Sequence, residues 1–288
     1  MSSQPKNRMP KKTFMDALPK IAAFLRELFC NAGFYTGFVL LTLLTIIVSP
    51  PVYLVLRLIG THDSGQAVRR IIWFYGKGWV WLIARFVPFH MTMDDPQDYP
   101  QSCIVVANHL SFFDAFCLGT LPMYNLVFAV RSWPFKIPFY GPYMHRAKYL
   151  NTERMSYEDF LNQAKERLNQ HMTMIIFPEG TRSTNGELGR FHSGAFKLAM
   201  ETGTPIVPVS ISGTDRFLPK GKLWVKPHPI TITILPPADP KLFAHFGPLA
   251  HRTMSKYVRD LIAQHSTPST TCNTDCVHLS ENPIPQGE

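Results

Sequence analysis

The chain has 288 residues, with 29 lysines and arginines against 20 aspartates and glutamates, a formal net charge of +9. That length holds one substantial α/β domain and an appendage, and the positive excess suits anionic lipid, nucleic acid or an acidic cofactor. No nucleic-acid motif is present, and the five cysteines (Cys30, Cys103, Cys117, Cys272 and Cys276) are an odd, scattered set that implies no disulfide framework and fits a reducing compartment.

Residues 1–29 form a basic segment carrying Lys6, Arg8, Lys11, Lys12 and Lys20, after which no charged residue occurs from Leu28 to Leu56. The most helical part of that run, Phe34 to Val48, is 15 residues, or about 22 Å at 1.5 Å per residue, short of a hydrocarbon core of about 30 Å. Pro50-Pro51 is expected to break or kink the helix before a second apolar stretch, Val52 to Ile59. From Val68 to Phe86, Trp73, Phe74, Tyr75, Trp79, Trp81 and Phe86 interleave with Arg69, Arg70, Lys77 and Arg85, the pattern of a helix lying at a membrane interface. The long basic region and the lack of a small-residue cleavage site after Val48 argue against a secretory signal. These features predict a membrane-anchoring helical hairpin over 30–88. A hairpin that enters and returns keeps the following domain on the side of the basic N-terminus, which basic flanks place in the cytoplasm.

Residues 89–265 alternate strand and helix signals without internal repeats, predicting an α/β domain with a mixed sheet covered by helices. Cys103 to Ala107, Thr173 to Phe177, Pro205 to Ser212, Leu223 to Val225 and Ile230 to Leu235 read as strands. Tyr157 to Gln170 reads as a helix capped by Ser156, with Phe160, Ala164 and Leu168 on one face; Gly194 to Glu201 and His251 to Gln264 read as two more. Residues 266–288, rich in Ser, Thr, Asn and Pro, are predicted to be disordered. The spacing of Cys272, Cys276 and His278 in that tail is too thin a pattern for zinc, and no metal or bound cofactor is expected.

Two polar clusters interrupt the apolar pattern. In Asn108-His-Leu-Ser-Phe-Phe-Asp114, five positions separate His109 from Asp114, which within one helix puts them roughly 140° apart. They meet only if His109 lies on the loop after a strand and Asp114 in the first turn of the next helix. An imidazole held by a carboxylate has a fixed tautomer, so its other nitrogen is free to take a proton. Ser111 reads as the cap of that helix; no Gly-x-Ser-x-Gly elbow surrounds it, which disfavours a covalent acyl-serine. In the second cluster, Phe177-Pro-Glu-Gly-Thr-Arg-Ser183, Gly180 permits close backbone approach, Thr181 and Ser183 add hydroxyls, and Arg182 offers a fork for phosphate oxygens. A base beside an anion cradle, behind a membrane-seeking N-terminus, points to chemistry on a phospholipid precursor.

Together the clusters resemble the glycerol-phosphate and lysophosphatidate acyltransferase family. Four blocks match in the family's order: Asn108-His109 with Asp114, the Pro138-Phe-Tyr-Gly141 to Arg154 region, Phe177 to Ser183, and Val207-Pro-Val-Ser-Ile211. The resemblance covers roughly residues 85–240. It implies transfer of a fatty acyl group from a thioester, on coenzyme A or acyl carrier protein, to a glycerolipid hydroxyl, most directly 1-acylglycerol 3-phosphate. His109 is then the base, Asp114 its orienting group, and Glu179, Gly180, Thr181 and Arg182 the acceptor-binding group. The expected partners are membrane lipid and the acyl donor, with no nucleic acid. One departure stands out: where the family usually carries a phosphate-holding arginine at the end of its second block, this chain has Thr152. Arg146, Lys148 and Arg154 are the nearby substitutes, which leaves the acceptor headgroup open, a lyso-aminolipid included. Trp133, Pro134, Phe135, Pro138, Phe139 and Tyr140 are candidates for the wall of an acyl groove. A coenzyme-independent transacylase and a non-catalytic lipid-binding protein are the rival readings.

Overall fold

In the computed structural model, residues 14–61, 63–95, 98–123, 125–183 and 186–266 are described. Residues 267–288 of the predicted disordered tail, with Cys272, Cys276 and His278, lie outside them, as do residues 1–13 of the basic segment; Ser266 closes α8. The helices are α1 (Phe14–Leu58), α2 (Ser64–Ile83), α3 (Asp114–Cys117), α4 (Tyr140–Arg146), α5 (Tyr157–Asn169), α6 (Gly194–Thr202), α7 (Thr214–Phe217) and α8 (Ala250–Ser266). The strands are β1 (Phe89–Thr92), β2 (Ile104–Ala107), β3 (Leu126–Val130), β4 (Leu150–Asn151), β5 (Thr173–Ile176), β6 (Ile206–Ser212) and β7 (Ile230–Ile234).

The strands form one mixed sheet in the order β1-β7-β6-β2-β5-β3-β4, in which only β6 and β7 pair antiparallel. Central β2 is buried at every residue because both faces are covered. Its alternate side chains go to opposite layers: Val105 and Ala107 join a core with α2 and α3, Ile104 and Val106 one with α5, α6 and α8. The short runs of β-branched residues between helical segments are what made this α/β arrangement legible.

α1 corrects the sequence reading. Pro50-Pro51 does not end it; the helix runs 45 residues through both prolines to Leu58. Pro50 cannot donate to the carbonyl of Ile46, and the Ser49 hydroxyl approaches that carbonyl instead, at 3.4 Å, while also bonding the Tyr143 hydroxyl. From Leu18 to Leu58 the helix is long and apolar enough to cross a membrane, and almost none of it is buried in the protein. After a short loop α2 packs back against it. The interfacial reading of Val68 to Phe86 splits in two: Ala67, Val68, Ile71, Trp79 and Ile83 are core, while Phe74 and Trp81 point outward. Lys77 lies over the Trp73 ring and Arg85 over Trp81, each a cation held on an aromatic face.

Leu223 to Val225, expected to be a strand, is instead part of a loop fastened to α1. Asn31, buried in the apolar helix, accepts from the Val225 amide at 2.8 Å and donates to the Val225 carbonyl at 2.7 Å. The Trp224 indole donates to Glu27, and the Tyr35 hydroxyl to the Leu223 carbonyl. With its amide and carbonyl both taken by a side chain, Val225 has no ladder to join. Asn31→Ala strands two buried backbone groups, each worth about 1–3 kcal/mol. The expected result in detergent is a Tm lower by several degrees, with protease cleavage appearing in the 219–226 loop; an unchanged Tm contradicts the clamp.

Candidate active site

β2, β3, β5 and β6 run in one direction, so the loops after them collect at a single edge of the sheet, where open α/β sheets place their ligands. The loop after β2 carries His109, that after β5 carries Pro178 to Ser183, and that after β6 leads to Thr214. Motifs separated by some seventy residues are thereby adjacent.

Asp114 starts α3 and is fully buried. One carboxylate oxygen accepts from His109 Nδ1 at 2.8 Å, from the Leu110 amide at 2.6 Å and from the Ser111 amide at 2.8 Å. The other accepts from Thr214 Oγ1 at 2.6 Å. A buried charge is tolerated only when satisfied in this way. The His109 ring, 21% exposed, stacks on Phe177 with centroids 4.2 Å apart. With Nδ1 committed to Asp114, Nε2 is the nitrogen left for the adjoining cavity. Asn108 fixes the loop by exchanging two hydrogen bonds with Ile211 of β6, at 2.7 and 2.8 Å.

Ser111 is not a helix cap. Its hydroxyl donates to the Leu218 carbonyl at 3.0 Å, and the Asp114 carboxylate takes the turn's amides in its place. The serine is fully buried and does not line the cavity.

The second cluster divides by role. Gly180, Thr181 and Arg182 line the cavity together with His109. Gly180 has φ +69°, a left-handed conformation that favours glycine. Glu179, expected beside them as an acceptor contact, is turned away: its two oxygens accept from the amides of His109 at 2.8 Å and Gly189 at 2.9 Å. Burial pushes its carboxyl above the usual range, against the pull of those amides. Glu179 therefore ties the two motif loops together, and the Ser183 amide adds a bond to the His109 carbonyl at 2.8 Å.

The cavity has a volume of about 550 Å³, within the range of small-ligand sites. It runs from His109 past Trp133, Pro134, Phe139 and Tyr140 to Thr42, Thr45 and Ile46 of α1. Phe135 and Pro138, expected in the groove wall, are not part of its lining. Where it meets α1, the hydroxyls of Thr42, Tyr75 and Tyr140 form a chain of 2.8 and 2.7 Å bonds that joins α1, α2 and α4.

Thr152 lines the cavity, but the three substitute cations do not. Arg146 and Arg154 are exposed elsewhere, and Lys148 faces Asp63 at 3.6 Å and Gln170 at 3.3 Å. Among the described lining residues the lysines and arginines are Arg69, Arg131, Arg182 and Lys220, and there is no aspartate or glutamate. Sequence reasoning missed Arg131, His192 and Lys220; the Pro219-Lys-Gly221 turn carries no signal tying it to either motif. Thr214 was missed likewise. Replacing it by valine leaves one oxygen of a buried carboxylate unpaired, so Thr214→Val is expected to cost about 1–3 kcal/mol in denaturant unfolding. A cost indistinguishable from zero contradicts this account of how Asp114 is held.

Residues 90–212 match the family model described as Acyltransferase. The chain is 30% identical over 227 residues to the 1-acyl-sn-glycerol-3-phosphate acyltransferase BAT2, chloroplastic, of Brassica napus, covering 76% of this chain and 62% of the relative. It is 29% identical over 168 residues to the human 1-acyl-sn-glycerol-3-phosphate acyltransferase beta, covering 54% of this chain and 59% of that protein. The chain thus spans about three fifths of the length of these two relatives. The crystal structure of the 1-acyl-sn-glycerophosphate acyltransferase PlsC from Thermotoga maritima superposes with a TM-score of 0.63 at 25% identity, over 85% of this chain and 95% of that one. The His109–Asp114 loop and the Phe177 to Ser183 loop, which converge on one cavity, both lie within residues 90–212, so the chain carries an Acyltransferase family domain and is similar to proteins named 1-acylglycerol-3-phosphate acyltransferases.

Proposed function

We propose that the protein transfers a fatty acyl group from an acyl thioester, on coenzyme A or acyl carrier protein, to the free hydroxyl of 1-acylglycerol 3-phosphate, giving phosphatidic acid. The observation that carries this reading is the cavity itself: a His–Asp pair beside Arg182 and Lys220, neither of which has a carboxylate partner among the described residues, continuous with an apolar channel that reaches α1. Relatives named for this reaction support it.

In this reading His109 Nε2 takes the proton of the acceptor hydroxyl as its oxygen attacks the thioester carbonyl carbon. The tetrahedral intermediate collapses with cleavage of the carbon–sulfur bond, and the imidazolium returns the proton to the departing thiolate. Asp114 holds the tautomer and offsets the charge that appears on the ring. Arg182, Thr181 and Gly180 are assigned to the acceptor's phosphate. Direct transfer is preferred over an acyl-Ser111 intermediate because that hydroxyl is buried and bonded to Leu218. The long apolar α1, with α2 packed back against it, supports a membrane-associated enzyme, and in the hairpin reading of residues 30–88 the domain of residues 89–265 lies on the cytoplasmic face.

A second acceptor class is favoured by one observation: Thr152 brings no charge to the cavity, so a lyso-aminolipid remains the alternative to lysophosphatidate. A matrix of donors and acceptors in a membrane preparation separates these readings. Transfer is expected to require the thioester, whereas transfer from phospholipid without it identifies a transacylase. His109→Ala and Asp114→Asn are each expected to lower the rate by roughly 10²- to 10⁴-fold with folding intact by circular dichroism. Arg182→Ala is expected to raise the acceptor concentration needed, and an unchanged requirement contradicts its assignment. No transfer by the wild type to any acceptor removes the proposal.

A further inference from the structure

The cavity's four cations are not equivalent. The Arg69 guanidinium is buried and donates to Asp63 at 2.9 Å, Asn125 at 2.7 Å and the Ala147 carbonyl at 3.2 Å, which leaves it committed to the scaffold. Arg131 is paired with Glu153 at 3.0 Å. Arg182 has no side-chain partner among the described residues, and Lys220 Nζ makes one described bond, to the Arg182 main-chain carbonyl at 3.0 Å. An ammonium has three donors, so that bond leaves two for a ligand.

Lys220 is also positioned from both sides. Ser111, in the loop that carries His109, donates to the carbonyl of Leu218 two residues earlier. Beyond it, the chain is clamped to α1 through Val225 and Asn31. The lysine therefore joins the two motif loops at the cavity without belonging to either motif.

We infer that Lys220 is a specificity-determining residue that binds the phosphate monoester of the acceptor together with Arg182. The inference rests on the acyl-transfer reading for its substrate class. A point charge and a planar fork from two loops are suited to a dianionic, terminal phosphate, and they give nothing to a neutral headgroup. The same arrangement explains how a chain with Thr152 in its cavity wall keeps a two-cation site.

The test has two arms. In detergent micelles, binding of a short-chain 1-acylglycerol 3-phosphate and of the matching 1-acylglycerol is measured on the His109→Ala protein, with and without Lys220→Ala. Lys220→Ala is expected to weaken the phosphate ligand on the order of tenfold and leave the neutral one unchanged, because a charge-assisted bond is lost. Lys220→Arg is expected to recover most of the affinity. In the active enzyme, Lys220→Ala is expected to raise the acceptor KM by a similar factor with donor KM unchanged. Equal binding of the phosphate ligand with and without Lys220, equal weakening of both ligands, or a wild-type site indifferent to the phosphate overturns the inference. Loss of the acyl-transfer reading is seen separately, as absence of turnover with the discrimination in binding intact.

Discussion

The structure depends on one buried carboxylate with all its bonds accounted for. Asp114 is a single negative charge with four donors: one imidazole nitrogen, two amides of the turn before it and one hydroxyl from the loop after β6. Each bond fixes something different. The amides shape the turn that brings the chain from β2 into α3, the hydroxyl ties that turn to a second strand end, and the imidazole is left with one tautomer and one orientation. A buried carboxylate is tolerated only with its donors in place, so the geometry of the loop and the orientation of the His109 ring follow from the same set of bonds.

The membrane segment is part of this arrangement. Three polar side chains of α1 have a partner across the domain: Asn31 with Val225, Thr42 with Tyr75, and Ser49 with Tyr143. Such groups are costly in an apolar setting unless bonded, so these bonds fix which face of the helix meets the domain. On that face Thr42, Thr45 and Ile46 line the cavity that leads to His109.

Much of this was legible in the sequence, for identifiable reasons. β2, β5 and β6 are short β-branched runs, α5 has its cap and four-residue apolar spacing, and the His109–Asp114 separation makes sense only across a loop-to-helix junction. The errors share a cause as well. Pro50-Pro51 reads as a break or a kink, and the break does not occur, because sequence carries no sign that Ser49 sits near the carbonyl that Pro50 leaves free. Glu179 looked like a ligand contact because Gly180, Thr181 and Arg182 follow it and line the cavity, yet its own oxygens meet amides seventy and ten residues away. Leu223 to Val225 had strand composition, but its hydrogen bonds belong to Asn31. Lys148 and Arg154 were chosen for nearness in sequence, while Lys220 reaches the cavity through a loop whose position is set by α1. Local pattern specifies elements; long-range hydrogen bonds decide which polar side chains face the ligand.

The most direct measurement is the protonation state of the two nitrogens of the His109 ring in ¹⁵N-histidine-labelled protein, by nitrogen and proton NMR in detergent. The account predicts that the neutral ring holds its proton on Nδ1 in a strong hydrogen bond to Asp114 and leaves Nε2 bare, with loss of that single tautomer in Asp114→Asn. A neutral ring that carries its proton on Nε2, or a freely exchanging mixture of tautomers in the wild type, would contradict it.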